Sequence, residues 1–208
     1  MKTVFMFSGQ GAQYAGMGKD LYKNYPVAKE IFDRADNVLG YSIKDICFED
    51  EQKLGETEFA QPAILTMSIA AMKVLEEEGV RADMTAGLSL GEYSAYVASE
   101  AMDFEEAVAL VQKRGKFMAE AVPSGEGAMY AIIGLDTALV EEACAEATAE
   151  GDGLAVPANY NAPGQIVIAG HAQAAKRAAA LAKEKGAKLT VPLKVSGPFH
   201  TELLQPAA

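Results

Sequence analysis

Cysteine and histidine are scarce in this chain, with two of each among 208 residues. Cys47 and Cys144 stand far apart and lack metal-ligand spacing, so we expect two buried free thiols and no metal centre. No apolar run approaches the ~20 residues that a membrane helix needs. The apolar stretch behind Met1 is too short for a signal peptide and reads as a buried strand. These absences predict a cytoplasmic protein with no membrane segment.

Positive charge is also in short supply, since 18 Lys and Arg face 29 Asp and Glu for a net charge of −11. This balance argues against nucleic acid as a partner. Residues 171–208 are the exception, because six basic side chains there accompany only Glu184 and Glu202. The six are Lys176, Arg177, Lys183, Lys185, Lys188 and Lys194. The region either docks something acidic or is a solvated, lysine-rich helix.

The order of elements predicts an α/β fold. Strands alternate with helices in the N-terminal part, which favours a parallel sheet. The elements expected there are a strand over Lys2–Ser8 and helices over Asp20–Leu39, Pro62–Glu78 and Phe104–Ala121. After Pro123-Ser124-Gly125 the pattern becomes β-α-β-β-α-β, the ferredoxin-like order. We therefore expect a catalytic domain of residues 1–125 and 195–208 with an inserted subdomain of residues 126–194.

The most informative motif is Gly87-Leu88-Ser89-Leu90-Gly91, which lies between an expected strand and an expected helix. A nucleophile elbow has this form, because only small residues fit two positions before and after the serine in so tight a turn. Such a turn exposes the hydroxyl at a helix N-terminus, where backbone N–H groups stabilise an oxyanion. The competing interpretation is a glycine-flanked turn with no chemical role.

A serine nucleophile needs a base, and the two histidines are not equally suited to that role. His171 starts a helix and fits a structural surface role, whereas His200 follows a Gly-Pro loop suited to a cleft.

Gly9-Gln10-Gly11 follows the first expected strand but lacks the remaining residues of the Rossmann and phosphate-binding motifs. It is therefore an oxyanion-hole loop or a simple turn. Arg114 either pairs with a substrate carboxylate or is an ordinary surface arginine.

Several motifs together, in this order, resemble the malonyl-CoA:acyl-carrier-protein transacylases. The resemblance spans the whole chain and is more specific than any single motif. The motifs are Gly9–Gln13, Gln61–Ile64, Gly87–Tyr93, Gln112–Met118, Asn159–Gln165 and Gly197–His200. It implies a hydrolase-like α/β domain with a ferredoxin-like insert, and an acyltransferase of fatty-acid synthesis that needs no cofactor.

The resemblance also implies roles for individual residues. Ser89 would form a malonyl ester with His200 as its base, and Gln10 with the N–H of Leu90 would form the oxyanion hole. Arg114 would pair with the malonyl carboxylate, and Phe199 resembles the malonyl type of acyl pocket. The other partner would be an acyl carrier protein. Carrier proteins of this kind are acidic, which would suit docking on residues 171–208.

The chain departs from the family at two points. Leu88 stands where the family usually has histidine, and the family continues for roughly a hundred residues beyond Ala208. We therefore expect residues 1–208 to lack a C-terminal segment and to form an incomplete catalyst. Two alternatives stay open: a polyketide-type acyltransferase that uses another acyl group, and a non-catalytic fragment that binds acyl-CoA or carrier protein.

Overall fold

The computed structural model describes residues 2–123, 125–193, 195 and 197–207. Three residues of the predicted linkers and basic region, Ser124, Lys194 and Ser196, lie outside the described residues. The chain divides into two compact units, Met1–Lys116 and Phe117–Ala208.

The first unit combines a small parallel sheet with helices. Strand β1 (Val4–Phe7) pairs in parallel with β2 (Met84–Gly87), with Phe5 opposite Thr85. The helices are α1 (Lys19–Asn24), α2 (Pro26–Leu39), α3 (Ile43–Glu49), α4 (Glu51–Leu54), α5 (Thr57–Glu77) and α6 (Gly91–Ala98). Helix α7 (Phe104–Ala121) contains the boundary between the units. Buried apolar side chains of α2, α5 and α7, such as Phe32, Leu65 and Val108, form the core.

The helix bounds predicted from the sequence differ from the observed ones at several places. The prediction of a single helix over Asp20–Leu39 is wrong, because the chain breaks at Tyr25 between α1 and α2. Pro26 restrains the residue before it to extended backbone, and Tyr25 indeed has φ −125° and ψ 115°. Helix α5 begins at Thr57, so Pro62 lies inside the helix and not at its start. Helices α3 and α4 were not predicted.

The second unit carries an antiparallel sheet covered by two helices. Its elements are β3 (Gly127–Ile133), α8 (Thr137–Ala149), β4 (Ala155–Ala162), β5 (Gln165–His171), α9 (Ala172–Glu184), β6 (Leu189–Pro192) and a 3₁₀ helix (Glu202–Ala207). The strand order is β4-β5-β3-β6. Buried alanines on α8 and α9, Ala147 and Ala178 among them, let both helices pack closely on Ile132, Ile166 and Ile168.

The coarse prediction of a mixed α/β fold with a parallel sheet is confirmed. Both cysteines are free and buried, as predicted, Cys47 in the core of the first unit and Cys144 in that of the second. Burial raises the pKa of each thiol to about 12, since a thiolate would be poorly solvated there. None of the helices in the described part of the chain has the length and apolarity that crossing a bilayer requires.

Candidate active site

Ser89 lies on a sharp turn between β2 and α6. Its φ of 53° is in the left-handed region that non-glycine residues rarely adopt. A Cβ on Gly87 would overlap the backbone of Gly91 and Glu92, and one on Gly91 would overlap the carbonyl of Phe7. The two glycines are therefore required by close backbone approach, which is the steric reason for the spacing around Ser89. The turn has the geometry expected of a nucleophile elbow.

The turn leads directly into helix α6. The N–H of Gly91 donates to the Leu88 carbonyl at 2.9 Å, and the N–H of Glu92 donates to the Ser89 carbonyl at 3.1 Å. Leu90 caps the helix, and its side chain is fully buried. Among the hydrogen bonds of the described residues, none uses the Leu90 N–H. An N–H at the positive end of a helix beside Ser89 is suited to bind a negatively charged oxygen.

The loop after β1 packs against this turn. A Cβ on Gly9 would lie 2.7 Å from the Leu88 carbonyl oxygen, so only glycine allows the approach. The next residue, Gln10, is half-buried, and its Nε2 donates to Thr57 Oγ1 at 3.1 Å. The backbone N–H of Gln10 takes part in no hydrogen bond among the residues that the structure describes. The structure thus brings the predicted oxyanion loop next to the predicted elbow.

Arg114 extends from α7 toward the same turn. Its Nη2 donates to Ser89 Oγ at 3.3 Å, and its Nη1 donates to Gln61 Oε1 at 2.8 Å. The guanidinium also lies over the Tyr93 ring, 5.6 Å from its centroid. Three side chains thus engage this half-buried cation, which argues against an ordinary surface arginine.

Sequence reasoning missed the side chains that hold Gln10 and Arg114. Thr57 and Gln61 are 1% and 0% exposed, and both lie in the first turns of α5. The sequence feature that could have identified them is a pair of polar residues four positions apart on a helix face that is otherwise apolar. It was overlooked because the helix was expected to start at Pro62.

His200 and Phe199 belong to the second unit. His200 is exposed and has a φ of 61°, a backbone conformation as uncommon as that of Ser89. The hydroxyl of Thr201 donates to the Pro198 carbonyl at 2.7 Å and closes the turn that carries the histidine. Phe199 is 6% exposed and packs with Met118 and Met129. The packing of Phe199 and the hydrogen bond of Thr201 therefore both stabilise the turn that carries His200.

The other histidine has a structural role. The Nδ1 of His171 accepts a hydrogen bond from the Leu154 N–H at 2.9 Å, which fixes the loop leading into β4. A Cβ on Gly153 would lie 2.7 Å from the same imidazole nitrogen, so the ring fills the space over that glycine. These contacts agree with the interpretation of His171 as a helix-start residue.

In the structure, acidic side chains neutralise part of the positive charge of the basic region, residues 171–208. Arg177 forms a forked pair with Glu150, at 2.7 Å from Nε and 2.8 Å from Nη2, and Lys185 donates to Glu142 and Glu146 at 3.0 and 2.9 Å. The pKa of Glu150 is lowered by the hydrogen bond from Arg177. These glutamates belong to the segment before residue 171, so counting charges along the chain could not reveal them.

Three lysines of the basic region form no ion pair with an acidic side chain among the described residues. Lys176 and Lys188 are exposed, and no ion pair among the described residues includes them. Lys183 donates to the carbonyls of Ala187 and Lys188, between α9 and β6, at 3.2 and 2.9 Å, and these bonds do not neutralise the ammonium. The positive surface is therefore narrower than the sequence predicted.

Comparison with known proteins extends over the whole chain. Residues 4–207 match the acyl transferase domain family. The malonyl CoA-acyl carrier protein transacylase of Bacillus subtilis is 52% identical over 208 residues, which are 100% of this chain and 65% of that protein. The crystal structure of MCAT from Streptococcus pneumoniae is 55% identical with a TM-score of 0.91, over 99% of this chain and 67% of that one.

A second similar structure is a type II PKS acyl-carrier protein in complex with its malonyl-transacylase. This chain is 43% identical to the matching chain with a TM-score of 0.94, over 100% of its own length and 67% of the other. The chain thus spans slightly less than two thirds of the curated relative's length.

Proposed function

Because the chain belongs to the acyl transferase domain family, we propose that it transfers a malonyl group from malonyl-CoA to the phosphopantetheine thiol of an acyl carrier protein. The observation that carries this proposal is the hydrogen bond from Arg114 to Ser89 Oγ at 3.3 Å. A fixed cation one hydrogen bond from a nucleophile suits an acyl group whose free carboxylate lies close to its thioester carbon. Malonyl has this form, with a single methylene between the two groups.

We propose a two-step reaction through a serine ester. The Ser89 oxygen attacks the thioester carbonyl carbon while His200 takes the hydroxyl proton. The carbon–sulfur bond then breaks, the electron pair leaves with sulfur, and His200 returns its proton to the departing thiolate. The carrier-protein thiol next gives its proton to His200, attacks the ester carbonyl, and Ser89 Oγ leaves and regains the proton. The assignment of His200 rests on the resemblance and on the chemistry of imidazole.

The oxyanion formed in each step needs donors. We propose the N–H of Leu90 and the backbone N–H of Gln10, since the Gln10 side chain is already bonded to Thr57. Arg114 would bind the malonyl carboxylate, and Phe199 would shape the acyl pocket through the packing of its turn. No cofactor enters this scheme, because the thioester itself supplies an activated acyl group.

We propose that the carrier protein docks on the basic region, with Lys176, Lys183 and Lys188 as the groups that attract it. Their charges are not paired with acids among the described residues, which supports this choice. Arg177 and Lys185 are less suitable because glutamates engage them. The predicted sixth cation, Lys194, lies outside the described residues.

We also infer that residues 126–194 form a ferredoxin-like subdomain, inserted in a hydrolase-like domain of residues 1–125 and 195–208. The strand order β4-β5-β3-β6, the antiparallel pairing and the two covering helices support this inference. We place the protein in the cytoplasm, and its two unpaired thiols support that compartment.

Covalent labelling tests the reaction. Incubation with radioactive malonyl-CoA should leave an acid-stable label on Ser89, and later addition of carrier protein should remove it. Ser89→Ala should abolish the label, while Ser99→Ala, a change on an exposed serine at the end of α6, should keep it. A label that persists in Ser89→Ala would refute the proposal. A polyketide-type enzyme would instead be labelled faster by a different acyl-CoA.

A further inference from the structure

The first turns of α5 connect two groups on which the proposed function depends. Thr57 and Gln61 are four residues apart, so they lie on the same face of the helix. Thr57 Oγ1 accepts a hydrogen bond from Gln10 Nε2 at 3.1 Å, and Gln61 Oε1 accepts one from Arg114 Nη1 at 2.8 Å. One helical turn therefore contacts both the oxyanion loop and the carboxylate-binding arginine.

These two polar side chains occupy positions that would otherwise suit apolar residues. Both are buried, and their helix neighbours Ala60, Ala63 and Ile64 belong to the buried apolar surface of the unit. Burying a hydroxyl or an amide costs free energy unless it is hydrogen-bonded. An apolar side chain of the same size would avoid that cost, so stability alone does not account for Thr57 and Gln61.

The backbone brings the partners into range. A Cβ on Gly115 would lie 2.6 Å from the Thr57 carbonyl oxygen and 2.9 Å from Glu58 Cα, so glycine is needed where α7 meets the first turn of α5. Arg114 is the residue immediately before that contact. Its starting point is thus set by helix packing, and its direction is set by Gln61 and Ser89.

We propose that Thr57 and Gln61 are positioning residues, Thr57 for the oxyanion loop through Gln10 and Gln61 for the malonyl carboxylate through Arg114. This inference rests on the proposed function. Gln61 is suited to the task because its amide oxygen orients the guanidinium without neutralising it. Nη2 then points at Ser89, where the carboxylate of the bound acyl group would replace the serine hydroxyl as acceptor.

The two residues should give different kinetic signatures. Gln61→Met keeps the size of the side chain and removes the acceptor, so kcat/KM for malonyl-CoA should fall about tenfold while that for acetyl-CoA is nearly unchanged. Thr57→Val keeps the shape and removes the hydroxyl. It should lower kcat for both acyl groups by a similar factor of about ten, since every acyl group passes through the same oxyanion.

Conservative variants and a matched control separate positioning from packing. Thr57→Ser restores a hydroxyl and should restore most of the rate. Gln61→Glu restores an acceptor but neutralises Arg114, so discrimination between malonyl and acetyl groups should stay low. Thr66→Val alters another buried threonine of α5, whose hydroxyl has no hydrogen-bond partner among the described residues, and should leave both rates unchanged.

The decisive measurement is the ratio of kcat/KM for malonyl-CoA to that for acetyl-CoA in purified protein. A ratio that drops in Gln61→Met and holds in Thr57→Val supports the inference. If wild-type protein takes a malonyl label and Gln61→Met leaves the ratio unchanged, positioning by Gln61 is refuted while the proposed function stands. If wild-type protein takes no malonyl label, both are refuted.

Discussion

At the scale of single residues, the guanidinium of Arg114 is the group that we propose selects the acyl group. It is half-buried, bonded to Gln61 and Ser89, and stacked over Tyr93. Each of these contacts restricts its motion, so little conformational freedom would be lost when a carboxylate binds. An acyl group without that carboxylate would leave the cation poorly paired, which is the physical basis of rejection.

Replacement of Arg114 should therefore change selectivity. Arg114→Ala should lower kcat/KM for malonyl-CoA by about two orders of magnitude, because a charge-assisted hydrogen bond in a shielded site is lost. Hydrolysis or transfer of acetyl groups should fall much less or rise. Lys113→Ala, an exposed neighbour on α7, is the matched control. An unchanged malonyl-to-acetyl ratio in Arg114→Ala would contradict the assignment.

The residues of the candidate site differ in how far sequence could identify them. The motif shows Ser89 between Gly87 and Gly91, and the contact that requires Gly87 lies within the turn, whereas the contact that requires Gly91 is with the Phe7 carbonyl of β1. For Arg114 the sequence left two interpretations open, and the contacts with Gln61 and Ser89 favour a role in the site. Thr57 and Gln61 form a polar pair on an apolar helix face, but the sequence could not show what they contact, because their partners Gln10 and Arg114 are 47 and 53 positions away along the chain.

At the scale of elements, the packing of helix α9 determines which of its basic side chains are paired with acidic ones. Arg177 of α9 and Lys185, which directly follows it, pair with glutamates in and just after α8 because the two helices lie side by side on one sheet. Lys176 projects to the surface without an acidic partner among the described residues. The sequence showed a basic region over residues 171–208, but helix packing leaves only some of its cations unpaired with acids among the described residues.

Charge reversal on α9 tests the docking proposal. Lys176→Glu should raise KM for carrier protein roughly fivefold, leave KM for malonyl-CoA unchanged, and weaken the salt dependence of the transfer. Lys23→Glu, at an exposed lysine of α1, makes the same change in net charge away from the basic region. If both variants affect carrier protein equally, or if Lys176→Glu affects both substrates equally, α9 is not a selective docking surface.

At the scale of the whole molecule, one face of the small parallel sheet is exposed. Met6 is 82% exposed, Met84 is 55% and Val4 is 44%. In parallel sheets the strands are normally buried on both faces, and the described residues pair β1 and β2 only with each other. An apolar face beside open strand edges favours association with another chain.

We therefore expect the 208-residue chain to self-associate as its concentration rises. Met6→Lys together with Met84→Lys should shift the protein toward monomer, since two charges on the apolar face oppose its burial. Leu110→Lys, on an exposed position of α7, serves as the control and should leave association unchanged. Sedimentation velocity over a range of concentrations measures the effect. A wild-type chain that stays monomeric throughout would contradict this expectation.

What the sequence by itself determined was local. The glycine spacing predicted the tight turn at Ser89, and the alternation of strands and helices predicted the α/β class, because both patterns can be read along the chain itself. The extended backbone before Pro26 is also a local effect, although the predicted single helix overlooked it. Tertiary structure alone decided that Thr57 meets Gln10, that Gln61 orients Arg114, and that Glu150 neutralises Arg177. The partners in these pairs are distant in sequence. Their side chains come within hydrogen-bond distance because α5 lies against the loop after β1 and against α7, and because α8 lies beside α9.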